Sequence, residues 1–252
     1  MRIALCQIPT VTGGVKDNME SILGCIDGSA DMYVFPELYL SGYMCQTPDM
    51  VAVDAALGEL RDIASEEGIC IIVGAPEYDG GNVYNCAYVI TDTVERYRKI
   101  HLPDFGVFSE RSRFVPGSEP FVFDFMGKRF GLCICYDIFF PELMKTYALD
   151  GADVNICISA SPVTSRTAFE RTVPARAVED TTYVVFVNNI GTYDGMEFFG
   201  GSRVLDPTGE LLFISEAPGV FTFEPDDDVL AKARLGRPTL KDTAAEIRWP
   251  QR

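Results

Sequence analysis

Short apolar runs, separated by stretches with helical periodicity, most constrain what this chain can fold into. The runs at residues 31–36, 69–76, 130–135 and 153–159 have the length and apolar content expected of buried strands. Between them, apolar residues recur at helical spacing, as they do over Met50–Glu67. The alternation of the two patterns predicts an α/β fold in which helices cover a mixed sheet.

Turn signals predict that several of the other strands form hairpins. Asp79-Gly-Gly-Asn82 separates two apolar runs, which is typical of a β-hairpin. A helix is expected over residues 165–180, kinked or broken at Pro174, and residues 236–252 are interpreted as a C-terminal arm. Further strands are expected at residues 2–8, 84–91, 95–100, 121–125, 128–134, 183–190, 201–206, 211–214 and 220–223, and further helices from residue 15 and over 139–149 and 225–235.

Length, composition and charge favour a single domain that does not bind nucleic acid or membrane. The 252 residues are 47% hydrophobic, with no low-complexity linker and no repeat, so residues 1–252 are predicted to share one fold. The net charge of −16 would repel nucleic-acid phosphates and anionic lipids. No apolar stretch is long enough to span a bilayer, and residues 1–6 resemble a first strand more than a signal peptide. A cytoplasmic protein is therefore predicted.

The eight cysteines and the single histidine limit the chemistry that the chain can use. The cysteines are scattered and form no C-x-x-C pair, so reduced, mostly buried thiols are expected. A zinc site is not expected, because His101 is the only histidine. A Ser-His-Asp triad or a Cys-His pair would also have to use His101 as its base. If His101 is structural, a cysteine nucleophile needs a carboxylate base.

Cys135 has the position best suited to a nucleophile. It ends the run at residues 130–135, and Pro141 and Glu142 then mark the first turn of a helix. The amide groups at a helix N-terminus favour an anion, so this position is expected to lower the pKa of the thiol. The alternative is an inert packing residue, as most cysteines in apolar surroundings are.

Three charged residues lie at predicted strand ends or in a long loop. Glu37 directly follows an apolar run, Lys99 closes a predicted strand, and Glu110 lies in the irregular segment at residues 101–117. Sites of α/β folds gather at such places, and a carboxylate in apolar surroundings is suited to general-base work. The alternatives are a helix-start glutamate, a solvated lysine and an exposed or ion-paired carboxylate, respectively.

Six short motifs, taken in order, carry a resemblance to a known family. They are Phe35-Pro-Glu37, Arg98-Lys-Ile-His-Leu-Pro103, Phe108-x-Glu110, Cys133-Ile-Cys-Tyr-Asp-x-x-x-Pro-Glu142, Pro174-Ala-Arg-Ala-Val-Glu179 and Gly200-Gly-Ser-Arg-Val-Leu-Asp-Pro-Thr-Gly209. Their order resembles that of the nitrilase superfamily of carbon–nitrogen hydrolases, and the resemblance covers essentially the whole chain. It implies a four-layer α-β-β-α sandwich with two mixed sheets.

The resemblance also implies a Glu-Lys-Cys triad that needs no metal or organic cofactor. Cys135 would attack the amide carbon and form a thioester, and Glu37 would be the general base. Lys99 and the backbone N–H of Tyr136 would stabilise the oxyanion. Glu110 would orient the lysine and the substrate. The implied reaction is hydrolysis of a small linear amide, with release of ammonia.

The resemblance constrains substrate recognition less closely. Many family members carry an arginine two residues after the aspartate of the nucleophile motif, where this chain has Phe139. Ser161 lies in Ser159-Ala-Ser-Pro162, which resembles the glutamine-amidase portion of NAD synthetases. Phe139 and Ser161 are therefore assigned, together with Tyr136, to oxyanion and substrate binding.

Several alternatives for substrate and partner stay open. The substrate could be an N-carbamoyl compound, a nitrile or glutamine, and in the last case an ATP-dependent synthetase would be the partner that receives ammonia. Outside the enzyme class, the chain could be an inactive scaffold homologue, or a redox protein using Cys133 and Cys135. The resemblance further implies a homodimer or higher even oligomer, with candidate contacts, or alternatively core residues, at Phe139, Phe140, Leu143, Met144 and Tyr147.

Overall fold

The computed structural model describes residues 1–243 as two mixed sheets with helices on their outer faces. The helices are α1 (Val15–Cys25), α2 (Met50–Glu67), α3 (Pro141–Leu149), α4 (Arg166–Asp180) and α5 (Asp227–Gly236). The strands are β1 (Ile3–Gln7), β2 (Met32–Val34), β3 (Cys70–Asp79), β4 (Asn82–Ile90), β5 (Val94–Arg98), β6 (Val122–Phe125), β7 (Lys128–Ile134), β8 (Val154–Ser159), β9 (Tyr183–Asn188), β10 (Ile190–Tyr193), β11 (Met196–Phe199), β12 (Ser202–Leu205), β13 (Leu211–Ser215) and β14 (Gly219–Phe223).

Each large sheet has six strands and combines parallel with antiparallel pairs. The first has the order β14-β1-β2-β3-β4-β5, in which β1, β2 and β3 are parallel and the other pairs antiparallel. The second has the order β13-β12-β9-β8-β7-β6, in which β7, β8 and β9 are parallel. In both sheets a hairpin extends the parallel centre, as the turn signals predicted.

The two sheets pack face to face between two helical layers. In β1, Ile3 and Leu5 join the core between the sheets, whereas Ala4 and Cys6 pack with α1 and α2. This alternation follows from the two-residue repeat of a strand, which sends successive side chains to opposite faces. On the far side, α3 and α4 cover the second sheet. The predicted four-layer α-β-β-α sandwich is confirmed.

Two details of the secondary structure differ from the expectation: α4 has no break at Pro174, and a further hairpin is present. Pro174 does not break α4, which runs on to Asp180. A proline inside a helix costs about 3 kcal/mol, but Val173 and Ala177 beside it are completely buried, and this packing stabilises the helix. The small hairpin of β10 and β11 was missed, because strands were expected at residues 183–190 and 201–206 and none between them. Of the predicted arm, residues 244–252 lie outside the described residues.

Three of the candidate dimer contacts belong to the core instead. Leu143, Met144 and Tyr147 have no exposed surface, and the Tyr147 hydroxyl donates to the Leu132 carbonyl, 2.7 Å away. Such side chains stabilise the packing of α3 on β7, which was the alternative given for them. Within residues 1–243, no helix is both long and apolar enough to cross a membrane.

Candidate active site

The sheet topology brings the four predicted catalytic residues to one end of the sandwich. Glu37 follows β2 and Lys99 follows β5. These strands run in the same direction, because β3 is parallel to β2 and two antiparallel pairings separate it from β5. Cys135 follows β7, and Ser161 follows the parallel strand β8. Glu110 reaches the same place from the long loop, where it begins a 3-10 turn.

The Lys99 ammonium lies between two buried carboxylates. Its Nζ donates to Oε1 of Glu37 at 2.6 Å and to Oε1 of Glu110 at 2.8 Å. The Lys99 and Glu37 side chains have no exposed surface, and that of Glu110 is 2% exposed. Burial would lower the pKa of the Lys99 ammonium, but the carboxylates of Glu110 and Glu37 outweigh it and hold that pKa well above its usual range. The lysine is therefore a fixed cation.

Further hydrogen bonds hold both oxygens of Glu37. Oε1 also accepts from Nδ2 of Asn85 at 2.7 Å. Oε2 accepts from the backbone N–H of Ala160, in the other sheet's loop, at 2.8 Å. Glu37 thus bridges the two sheets, and its orientation is fixed by donors on three different elements.

Gly74 in β3 allows the Glu37 turn to pack directly on the sheet. Its N–H donates to the Pro36 carbonyl at 3.2 Å, and its carbonyl accepts from the Leu40 N–H at 3.1 Å. A Cβ added at this position would lie 2.2 Å from the nitrogen of Leu38 and 2.6 Å from the Pro36 oxygen. Any larger residue would therefore push the Glu37 turn away from the sheet.

Glu110 keeps one carboxylate oxygen available. Oε1 accepts from Lys99 and from the Tyr43 hydroxyl, each at 2.8 Å, whereas the buried Oε2 has no hydrogen-bond partner. Burial raises the pKa of Glu110 to about 7; the Glu37 carboxylate adds to this effect and the Lys99 ammonium opposes it. A carboxyl group with that pKa can accept or donate a proton near neutral pH.

Cys135 lies at the predicted strand-to-helix turn, but its thiol does not have a lowered pKa. It begins a 3-10 turn (Cys135–Phe139), and its φ of 50° is uncommon for a residue with a side chain. Burial raises the pKa of the thiol; the Glu37 carboxylate adds to this effect, and only the Lys99 ammonium opposes it among the neighbouring charges. The expectation from the helix N-terminus is therefore wrong, since at 4% exposure the loss of solvation dominates. The thiol is protonated at rest.

Asp137 anchors the nucleophile turn to the rest of the site. Its Oδ2 accepts from the Tyr97 hydroxyl at 2.9 Å and from the Ile134 N–H at 3.1 Å. Its Oδ1 accepts from the His101 backbone N–H and contacts Nδ1 of the same residue, each at 2.8 Å. The His101 ring also stacks on Phe140. These contacts favour a structural role for His101.

A chain of buried hydroxyl groups reaches the thiol. The Ser161 Oγ lies 3.4 Å from the Cys135 Sγ and 2.6 Å from the Ser159 Oγ. Oδ1 of Asn188 accepts from the Ser161 N–H at 2.8 Å. The structure thus brings Ser161 to the nucleophile, where it can hold the orientation of the sulfur.

A pocket of about 150 Å³ opens beside Cys135. It lies between the long loop, the 3-10 turn and the start of α4, and its surface is mainly apolar. Two of the residues assigned to substrate binding, Tyr136 and Phe139, line it together with Phe105, Phe108 and Phe169.

In the described part of the chain, the other cysteines and the possible metal ligands form no second centre. All eight cysteines lie within the described residues, and they are buried free thiols. Cys133 pairs in register with Cys157 of the neighbouring strand, so it is a packing residue of the sheet. Within residues 1–243, no group of three or more His, Cys, Asp or Glu side chains is placed to hold a metal ion.

Sequence reasoning missed four polar residues that complete this arrangement. The contacts of these residues with the catalytic groups form only in the folded chain, so short sequence motifs could not reveal most of them. Asp137 is the exception, because it lies two residues after Cys135 in the motif that carried the resemblance. The missed residues are Tyr43, Asn85, Asp137 and Asn188.

Residues 2–223 match the family model described as carbon-nitrogen hydrolase. Because the match covers most of the chain, the protein belongs to this family, the nitrilase superfamily, and is a carbon–nitrogen hydrolase. It is 33% identical to an (R)-stereoselective amidase of a Pseudomonas species, over 96% of this chain and 91% of that protein. It is also 30% identical to the glutamine-dependent NAD(+) synthetase of Aquifex aeolicus, over 99% of this chain but only 45% of the synthetase.

The fold is similar to that of a solved amidase from a Nesterenkonia species. The two share 30% sequence identity with a TM-score of 0.82, over 94% of this chain and 95% of the amidase. In another structure, a variant of the Nesterenkonia amidase carries the acetamide moiety of fluoroacetamide covalently attached at the active-site cysteine. That structure shares 29% sequence identity with this chain and has a TM-score of 0.85, over 98% of this chain and 95% of the amidase. These relatives support the family assignment independently of the motifs.

Proposed function

We propose that this protein hydrolyses a small linear amide to a carboxylic acid and ammonia through a thioester on Cys135. The observation that carries the proposal is the buried Lys99 ammonium, held between the carboxylates of Glu37 and Glu110 beside the thiol. Burying three charged groups is costly and needs close pairing. Such a cluster is well suited to move a proton and to stabilise an oxyanion, whereas a scaffold protein has no use for it.

In the first half-reaction the sulfur replaces the amide nitrogen. The thiol is protonated at rest, so Glu37 takes its proton as the sulfur attacks the carbonyl carbon. The negative charge that develops on the oxygen is stabilised by Lys99 and by the backbone N–H of Tyr136, and removing one such donor typically costs about 3 kcal/mol. The carbon–nitrogen bond then breaks, the nitrogen takes the proton from Glu37, and ammonia leaves the thioester.

In the second half-reaction water regenerates the thiol. Glu37 takes a proton from water while the water oxygen attacks the thioester carbon. The carbon–sulfur bond breaks, and Cys135 recovers its proton from Glu37. Amide and water thus give acid and ammonia. Glu110 holds the lysine through Oε1, and its unpartnered Oε2 can accept a hydrogen bond from the substrate amide.

The similarity to amidases supports a cysteine as the nucleophile. The structure with bound acetamide moiety shows that the active-site cysteine of the Nesterenkonia amidase reacts with a small amide reagent. We propose that Cys135 is the corresponding residue in this chain, since it follows a central strand of the second sheet and lines the pocket.

Ammonia release and covalent labelling together test the proposal. Wild type should release ammonia from at least one simple amide, and Cys135→Ala should release none while keeping the same circular dichroism spectrum. Fluoroacetamide should label the peptide that contains Cys135 in Glu37→Gln, and not in Glu37→Gln/Cys135→Ala. Cys133→Ala is the matched control, because Cys133 is buried in the same strand run, and it should keep both properties. Turnover that survives Cys135→Ala would refute the proposal.

A second candidate function is that of a glutaminase that supplies ammonia to a separate synthetase. The observation in its favour is the similarity to glutamine-dependent NAD(+) synthetase over nearly the whole chain. Glutamine hydrolysis that appears or strongly increases when an ATP-dependent synthetase co-purifies would support it. Nitriles and N-carbamoyl amino acids belong in the same panel, because a nitrilase of Pyrococcus abyssi is also a relative, at 36% identity over 73% of this chain and 71% of that protein.

A further inference from the structure

Aromatic rings form most of the wall of the pocket beside Cys135. Tyr136 packs against Phe105 and Phe139, with ring centroids 5.3 Å and 5.7 Å apart. Phe139 also packs edge-on against Phe169 at 4.9 Å, and Phe105 against Phe108 at 5.6 Å. Edge-on and tilted contacts at these distances are favourable. The rings therefore stabilise one another in the arrangement that forms the pocket.

No charged side chain lines this pocket. Apart from the aromatic rings, its lining consists of Pro103, Cys135, Ser165 and Ala168, all within the described part of the chain. A carboxylate or ammonium group placed against these rings would lose part of its hydration without gaining a charged partner, and this is unfavourable. The net charge of −16 further opposes an anionic substrate.

The leaving nitrogen must face away from the pocket. The nitrogen takes its proton from Glu37 in the mechanism proposed above, so it has to lie at the Glu37–Lys99–Glu110 cluster. These three side chains are at most 2% exposed and none of them lines the pocket. The close packing of this cluster favours an unsubstituted NH₂ group over a bulkier amine, and the acyl substituent is then directed to the aromatic pocket.

The volume of the pocket sets the size of that substituent. An apolar cavity of about 150 Å³ in another protein holds one benzene molecule, and the pocket here has about 150 Å³. We propose that the substrates are primary amides whose acyl group is uncharged, apolar and about the size of a phenyl or branched alkyl group. This inference rests on the proposed amidase function, and it predicts that glutamine and other amides with a charged acyl group are poor substrates.

A substrate series tests the inference. Relative to acetamide, phenylacetamide should have a kcat/KM roughly 10- to 100-fold higher, the range expected for burying an apolar group of this size. Succinamate, which carries a carboxylate, should be no better than acetamide, and glutamine should be worse. A kcat/KM for succinamate or glutamine that equals or exceeds the value for phenylacetamide would overturn the inference while leaving the amidase function intact.

A change in the wall of the pocket tests its location. Ala168 lines the pocket from the exposed first turns of α4, so leucine there fills the space without disturbing the core. Ala168→Leu should lower the ratio of kcat/KM for phenylacetamide to that for acetamide at least about tenfold. Thr167→Leu is the matched control, because Thr167 is an exposed neighbour that does not line the pocket, and it should keep the ratio. An unchanged ratio in Ala168→Leu would overturn the assignment.

Binding to an inactive variant separates this inference from the proposed function. If no amide releases ammonia, the proposed function fails, but the pocket can still be tested with Cys135→Ala by calorimetry. Phenylacetamide should bind more tightly than acetamide, and succinamate should not bind measurably. Equal affinities for the three compounds would overturn the inference even if the enzyme is active.

Discussion

Replacing Lys99 by methionine should destabilise the protein strongly and in a pH-dependent way. Methionine is similar in length, so the main change is the loss of the charge between Glu37 and Glu110, whose oxygens lie 2.6 Å and 2.8 Å from Nζ. Removing one partner of a buried ion pair typically costs about 3–5 kcal/mol. For a chain of this length, that loss corresponds to a decrease in Tm of roughly 6–20 °C.

The pH dependence follows from Glu110. Its pKa is raised to about 7 in the presence of the lysine that opposes the shift, so it should rise further in Lys99→Met. A carboxyl group with a raised pKa in the folded state contributes stability that is fully present below its unfolded pKa of about 4.3 and is lost as the pH rises through the folded value. In wild type this loss is complete slightly above pH 7, whereas in the variant it continues to higher pH. The difference between the two should therefore stay nearly constant from pH 5 to about pH 7 and widen from there to pH 9.

Urea denaturation followed by circular dichroism, at one protein concentration and across this pH range, measures the effect. Lys16→Met is the control, because Lys16 forms an exposed pair with Glu20 and such pairs contribute about 0–1 kcal/mol. Glu110→Gln added to Lys99→Met should recover part of the loss, since it removes one unpaired carboxylate. If Lys99→Met loses no more stability than Lys16→Met, or loses the same amount at every pH, the reasoning about the buried charges is wrong.

Three further predictions concern positioning and assembly. Gly74→Ala should lower kcat, and it should lower the free energy of unfolding by roughly 1–3 kcal/mol. Gly58→Ala is the control: Gly58 lies in α2 with open space around it, and alanine there should raise the free energy of unfolding by about 0.5–1 kcal/mol. Urea titrations measure the stability of both variants, and initial rates measure kcat. Asp137→Asn places an NH₂ group opposite donors that bind the carboxylate, such as the Tyr97 hydroxyl and the Ile134 N–H. Stability should therefore fall by roughly 1–3 kcal/mol, and exposed Asp124→Asn serves as the control in the same titration. The chain should elute as a dimer or higher even oligomer in size-exclusion chromatography with light scattering; a monomer at all concentrations would contradict this.

The raised pKa of the Cys135 thiol changes how the nucleophile must be activated. A thiol made acidic by a helix N-terminus would attack without a dedicated base. Here burial favours the neutral thiol, and the proton has to be removed as the sulfur attacks. In the proposed mechanism, Glu37, held by Lys99, Asn85 and the Ala160 N–H, removes this proton at each turnover. This requirement explains why the site keeps a carboxylate that is positioned from both sheets.

Local patterns were sufficient for most of the fold. Each buried strand and each amphipathic helix must hide its own apolar face, so its pattern of apolar residues is visible in a short stretch of sequence. Helix α2 was predicted with the bounds that it has, Met50–Glu67, and the hairpin at Gly80 and Gly81 was predicted from its turn residues. Prediction from short stretches of sequence failed where tertiary packing overrides a local preference, as at Pro174. It also failed where a hairpin is short, as in β10 and β11.

The sequence by itself determined the types of the reacting groups and the ends of the elements on which they lie. A cysteine after a buried strand, a glutamate after another and a lysine closing a third are local features. The single histidine restricted the common alternatives to a carboxylate base to His101. Only the tertiary structure decided the distances between these groups, the protonation of the thiol and the size of the pocket. The physical reason is that burial and pairing act between atoms far apart in the chain, as for Lys99 and Glu37 across 62 residues. The folded sandwich brings those atoms together and removes the water that would otherwise screen them.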